Sequence, residues 1–183
     1  MSISTLRKEL SELSAEQLRS LVMDLYKTSK EAKEYLEFFV NPDLDKLYEK
    51  TIDNIAKEIK RSKYHRSKMR VSVVKQLISK FESYGAPAEK VNQLMLNALN
   101  FAGAISTSHY MTDSQYGYIK RLSHDIVCYS HRHELYYTAM ATIVSIDDRL
   151  SKISEQCYAR ELIANGAEAA MKECGLPIPS GDE

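Results

Sequence analysis

The chain has little cysteine: three in 183 residues, Cys128, Cys157 and Cys174. They are odd in number, far apart and never spaced Cys-x-x-Cys, so neither a disulfide framework nor a cysteine-based zinc knuckle is supported, and a reducing, cytoplasmic setting fits best. Net charge is lacking too. The 25 Lys and Arg balance the 25 Asp and Glu, so attraction of the whole molecule to nucleic acid or anionic lipid is not indicated. No apolar run approaches the roughly 18 residues of a membrane span, and the opening "MSISTLRKELSEL" holds no apolar stretch of signal-peptide length, so no membrane partner is expected. Catalytic signatures are missing as well: there is no Gly-x-Gly-x-x-Gly, phosphate-binding loop, Gly-x-Ser-x-Gly or His-Glu-x-x-His. Nothing therefore argues for an enzyme or for a bound cofactor.

What is present is helical. Six glycines, four prolines, 44% hydrophobic and 27% charged residues make a folded, helix-favouring composition. Leu6, Leu10 and Leu13 recur at helical spacing, and "SAEQ" follows, where Ser14 can cap a second helix and Gln17 can reciprocate. Leu18, Leu21, Val22 and Leu25 continue the period, then Tyr35, Leu36 and Phe39. "NPD" offers Asn41 as a cap and Pro42 as a first helical residue. Leu44, Leu47, Tyr48, Ile55 and Ile59 form the next stripe; Ser72 is expected to cap a helix with Val74, Leu77, Ile78 and Phe81. Gly85 stops that helix and Pro87 starts another. "TDSQ" and "HELYYTAMATIV" each open a helix, and "SIDD" is expected to cap one running towards Asn165 and Gly166.

The fold class expected is all-α: a single domain of about seven to nine amphipathic helices over residues 1–174, with 175–183 a flexible tail. Val74, Lys75, Leu77, Phe81 and Tyr84 recur 45 residues later as Ile119, Lys120, Leu122, Ile126 and Tyr129. That period suits a short HEAT-like helical-repeat array, the alternative being an irregular helical bundle.

"SHDIVCYSHRHE" packs three of the five histidines and one cysteine into twelve residues. On a continuous helix at about 100° per residue, His124, Cys128 and His131 point within roughly 60° of one another, the shape of a ligand row. The wheel puts Ile119, Leu122, Ile126 and Tyr129 opposite, so the row lies on the polar face beside Lys120 and Arg121 and is solvated unless another helix covers it. His124 and His131 are also separated by about 10 Å of rise, whereas zinc ligands lie about 2.0–2.3 Å from one ion, so two of the three can chelate but all three cannot. His131 and His133 belong more naturally to a turn. The neighbours His124 and Asp125, or His133 and Glu134, point about 100° apart and form no recognised acid–base pair. Ser72 and Lys75 match Ser-x-x-Lys without its companion motifs. No metal site is assigned.

"KEIKRSKYHRSKMRVSVVKQLISK", Lys57 to Lys80, carries nine basic residues against the single acid Glu58, whereas from Ser145 onwards eight acids face four bases. The surface is thus expected to be dipolar, and its opposite ends could pair between copies in a homo-oligomer. Lys57, Lys60, Arg61, Lys63, Arg66, Lys68 and Arg70 fall across a joint between two helices and could track a phosphate backbone, with Tyr64 stacking on an unpaired base. Basic helix ends also simply suit the helix dipole.

The order "LRKELSELSAEQLRSLVMDLYKTSKEAKEYLEFFVNPD", then a Lys/Arg-rich joint, then "VSVVKQLISKF" and "LMLNAL", resembles the bacterial family called domain of unknown function 6155. The likeness spans Leu6 to Leu99 and is best at "LSAEQL", "LYKTSKEAKEY" and "NPD". It implies an all-helical bacterial cytoplasmic protein and a basic joint that is a family trait, and it carries over no catalytic residue. The expected function is a non-enzymatic helical interaction or scaffold module whose partner is another protein. The first alternative is nucleic-acid or polyanion binding through 57–80; the second is a metal-dependent protein using His124, Cys128 and His131.

Overall fold

The computed structural model describes residues 2–154 and 157–177. Among these the chain is all-α apart from one two-stranded ribbon. It divides into two compact units, residues 1–43 and 44–183.

The first unit holds α1 (Ile3–Ser11), α2 (Ala15–Thr28) and α3 (Lys30–Val40). The Ser14 hydroxyl accepts from the Gln17 backbone N–H while the Gln17 side-chain Oε1 accepts from the Ser14 backbone N–H, which fixes the start of α2 as its sequence predicts. Within the unit α2 packs on α3, and the Tyr26 hydroxyl donates to Glu37 at 3.1 Å. None of the three helices contains a fully buried residue.

The second unit holds α4 (Leu44–Ile59), β1 (Ser62–Lys63), β2 (Arg66–Ser67), α5 (Val71–Ser83), α6 (Ala88–Ser106), α7 (Asp113–Arg132), α8 (Tyr136–Ile153) and α9 (Tyr158–Cys174). Its core gathers Ile55 and Ile59 from α4, Phe81 from α5, Leu94 and Leu99 from α6, Ile119 and Ile126 from α7, Leu150 from α8 and Ile163 from α9. Burying each such side chain contributes about 1.5–3 kcal/mol. α7 packs against α6, α8 and, most extensively, α9. The close approach of α7 and α9 needs Gly166: a Cβ there would lie 2.2 Å from the Lys120 carbonyl oxygen. Beside it the Ser123 hydroxyl donates to the Ile163 carbonyl at 2.7 Å. Contacts that advance together along both helices, Ser123 with Ile163 and then Cys128 with Cys174, mean that α7 and α9 run parallel.

Several expected boundaries shift. Asn41 terminates α3 and α4 begins at Leu44, so Pro42 precedes the helix instead of opening it. Ser72 lies inside the first turn of α5; its N-cap is Arg70, whose N–H donates to Glu58 of α4 at 3.0 Å. "SIDD" lies within α8, and Gly166 is an interior residue of α9. Packing against Lys120 retains that glycine where propensity reads a stop. His131 remains in α7, and His133 is its C-cap. α9 ends at Gly175 with φ +66°, a conformation that suits glycine. Of the expected tail 175–183, residues 178–183 lie outside the described residues.

Candidate functional site

The basic joint is a β-hairpin. Ser62 pairs with Ser67 and Lys63 with Arg66, leaving Tyr64 and His65 as a two-residue tip with φ of 51° and 57°. Two-residue hairpin turns with positive φ at both central positions match the strand twist and normally use Asn-Gly, because larger residues are disfavoured in the left-handed region. The α6–α7 connection holds this unusual tip in place. The Tyr110 N–H donates to the His65 carbonyl at 2.8 Å, the Ser67 N–H to the Tyr110 carbonyl at 2.9 Å, and the Lys68 N–H to the Arg61 carbonyl at 2.7 Å. At the base Met69 is buried and its carbonyl accepts from the Gln115 amide at 2.9 Å.

All eight candidate residues, Lys57, Lys60, Arg61, Lys63, Tyr64, Arg66, Lys68 and Arg70, are exposed; Lys57 lies in the last turn of α4 and the Lys60 ammonium sits 5.3 Å from the Phe101 ring centre, and the other six fall into two groups. Glu58 is buried and accepts from the Arg70 Nε at 2.9 Å, Arg70 Nη2 at 2.8 Å, the Arg70 backbone N–H at 3.0 Å and Arg61 Nη1 at 3.1 Å. The Arg70 side-chain hydrogen bonds, against the opposing effect of burial and with help from its backbone N–H and the Arg61 charge, hold the Glu58 carboxyl down to about 2. Arg61 and Arg70 therefore anchor the ribbon. Lys63, Arg66 and Lys68 have no carboxylate partner among the described residues. The Lys63 ammonium lies 5.2 Å from the Tyr64 ring centre, and the Arg66 guanidinium 5.8 Å from that of Tyr110. Tyr64 and Tyr110 are 85% and 68% exposed, so two aromatic faces flanked by cations stand in solvent. Below them an open groove is lined by Lys68, Arg70, Ser72, Thr112 and Ser114, where the N-termini of α5 and α7 meet. Tyr110 was not a sequence candidate; it lies 46 residues from Tyr64, and no local pattern joins them.

The His/Cys row is also placed. α7 is continuous through it, and Ile119, Leu122 and Ile126 on the opposite side are buried. The row is covered by the last turn of α9: His124 Nε2 lies 2.9 Å from Glu173, and the sulfurs of Cys128 and Cys174 are 3.6 Å apart. His131 is exposed and lies outside this group. Burial, together with Cys174 and the carboxylates of Glu173 and Asp125, pushes the Cys128 thiol up to about 12. His133 stacks on Tyr129 at 4.4 Å. Ser72 and Lys75 are exposed in α5.

No helix among the described residues is long and apolar enough to cross a membrane. Residues 1–166 match the model described as a family of unknown function, DUF6155. No curated protein and no solved structure matches.

Proposed function

Since the chain belongs to the DUF6155 family, which brings no activity with it, we propose from the site itself that the protein is a non-enzymatic helical module that binds single-stranded nucleic acid on the hairpin 62–67. One observation carries the reading: the tip places Tyr64 and His65 where Asn-Gly is the comfortable choice, and it presents Tyr64 in solvent between cations that Glu58 does not neutralise. Left-handed conformations at large residues gather where function demands them. A base stacked on an aromatic ring contributes about 1–3 kcal/mol, and only an unpaired base offers its face. Lys63, Arg66 and Lys68 would meet phosphates along the same strand. The groove between Lys68 and Arg70, at two helix N-termini, would take a further phosphate. A reducing, cytoplasmic setting goes with this reading, with Cys128, Cys157 and Cys174 as thiols. The helices then serve as a frame for the ribbon, whether or not they form a repeat array.

The test is fluorescence anisotropy with labelled single-stranded RNA, single-stranded DNA and duplex DNA, with heparin as a competitor. Four contacted phosphates on a single strand predict an affinity that falls roughly fiftyfold between about 50 and 200 mM salt. The variant Lys63→Glu/Arg66→Glu/Lys68→Glu should abolish binding while Lys75→Glu leaves it unchanged. Equal affinity for duplex and single strands, or binding that survives the triple reversal, would refute the assignment.

A further inference from the structure

The covered face of α7 has a donor arrangement that the hairpin reading does not use. His124 and Cys128 are one turn apart on α7, and Glu173 and Cys174 are consecutive on α9. One ligand atom from each of His124, Cys128 and Glu173 lies within 4.8 Å of the other two. Among the described residues this is the one such group of His, Cys and carboxylate side chains. The Cys174 sulfur is 3.6 Å from that of Cys128.

We propose that these side chains form a zinc site in which His124, Cys128 and Glu173 are ligands and Cys174 takes the fourth position. Zn–S bonds of about 2.3 Å and Zn–N or Zn–O bonds of about 2.0–2.1 Å put tetrahedral donors about 3.8 Å (S to S), 3.6 Å (S to N) and 3.3 Å (N to O) apart. The corresponding separations here are 3.6 Å between the sulfurs, 3.9 Å from Cys128 to the His124 ring nitrogens and 2.9 Å from His124 Nε2 to Glu173. These three separations are at the scale of a zinc polyhedron; Cys174 lies outside the set of donors that are all within 4.8 Å of one another, so metal binding requires its side chain to turn inward from the end of α9. Asp125 lies 3.5 Å from His124 Nδ1, from where a small rotation closes the hydrogen bond by which a carboxylate orients a metal-bound imidazole. The scaffold is rigid just below, where Gly166 lets α9 sit against Lys120 and Ser123 bonds Ile163. Those contacts hold the parallel helices in register.

A disulfide between the same cysteines is the rival. It needs a two-electron oxidant and uses only the two sulfurs, leaving the neighbouring His124 and Glu173 donors without a role. Zinc needs no oxidant: it displaces the proton of each ligating thiol to solvent and holds the thiolate. With four protein donors the site would be structural, tying the end of α9 to α7.

The experiment uses the full chain, reduced and stripped of metal with a chelator. Zinc uptake is titrated against a chromophoric chelator, and cobalt(II) substitutes for zinc as a spectroscopic probe. Expected are stoichiometric, sub-micromolar zinc binding, a thiolate-to-cobalt charge-transfer band and a higher unfolding temperature with zinc. Cys128→Ser should weaken the band and Cys128→Ser/Cys174→Ser should remove it, and Asp125→Asn should weaken zinc roughly 10- to 100-fold. His131→Ala should change nothing. Reduced wild-type protein with a normal helical circular-dichroism spectrum that takes up neither metal would overturn the site. So would a cobalt spectrum unaltered in Cys128→Ser, or a Cys128–Cys174 disulfide whose reduced form ignores zinc.

Discussion

Between Lys57 and Lys80 the sole carboxylate is Glu58, and it receives N–H groups from both Arg61 and Arg70. The sequence makes it conspicuous, but its burial and its role in starting α5 follow from a ribbon that folds back over the end of α4, which no local pattern announces. Its carboxyl is held at about 2 against an ordinary 4.5, so the folded state binds its proton less readily than the unfolded chain does. The resulting stability is present above about pH 4.5 and is lost as the pH falls towards 2. Unscreened, that displacement corresponds to about 3 kcal/mol; with both arginines about half exposed, about 1–2 kcal/mol is expected. Glu58→Gln should lower stability by that amount at pH 7, and acid titration of its circular dichroism should lose the wild-type slope between about pH 4.5 and 2. An unchanged slope would show that the arginines do not hold the carboxyl. The ligand row was half legible for a similar reason: His124 and Cys128 are four apart and visible on a helical wheel, whereas Glu173 and Cys174 arrive from 45 or more residues away.

At the level of elements, helix existence is written locally and helix ends are not. The capping boxes Ser14–Gln17 and Thr112–Gln115 are readable because both partners lie within one turn. The misplaced boundaries at Ser72 and Gly166 have distant causes: a carboxylate on α4 starts α5, and a backbone carbonyl on α7 requires a glycine in the middle of α9. Tertiary packing overrides propensity there. Gly166→Ala would gain helix propensity in an isolated peptide, yet in the protein its Cβ must push α9 from Lys120. The substitution should destabilise by about 1–3 kcal/mol, measured by urea unfolding; a neutral or stabilising effect would mean that α7 and α9 are not in close contact. The 45-residue echo has an equally local explanation. Val74, Phe81, Ile119, Leu122 and Ile126 are buried while Lys75 and Lys120 are exposed, which any pair of amphipathic helices satisfies.

For the whole molecule, composition announced an all-α chain and hid its asymmetries. Equal totals of charge conceal a ribbon with unpaired cations, and uniform amphipathicity conceals two units of different quality: helices α1 to α3 contain no buried residue, while α4 to α9 share a continuous core. Amides of residues 2–43 should therefore exchange with deuterium orders of magnitude faster than those of α6 and α7, and equal protection across both units would contradict that contrast. The central claim is that the hairpin tip keeps Tyr64 and His65 for binding at the expense of stability. It is tested most directly by one double variant, Tyr64→Asn/His65→Gly, assayed for unfolding temperature and for single-stranded RNA affinity on the same preparation. The turn becomes the favoured Asn-Gly type, so the variant should melt higher while its affinity falls at least about fivefold through the lost stacking. A variant that melts higher and binds as tightly as the wild type would show that the tip is not the binding surface.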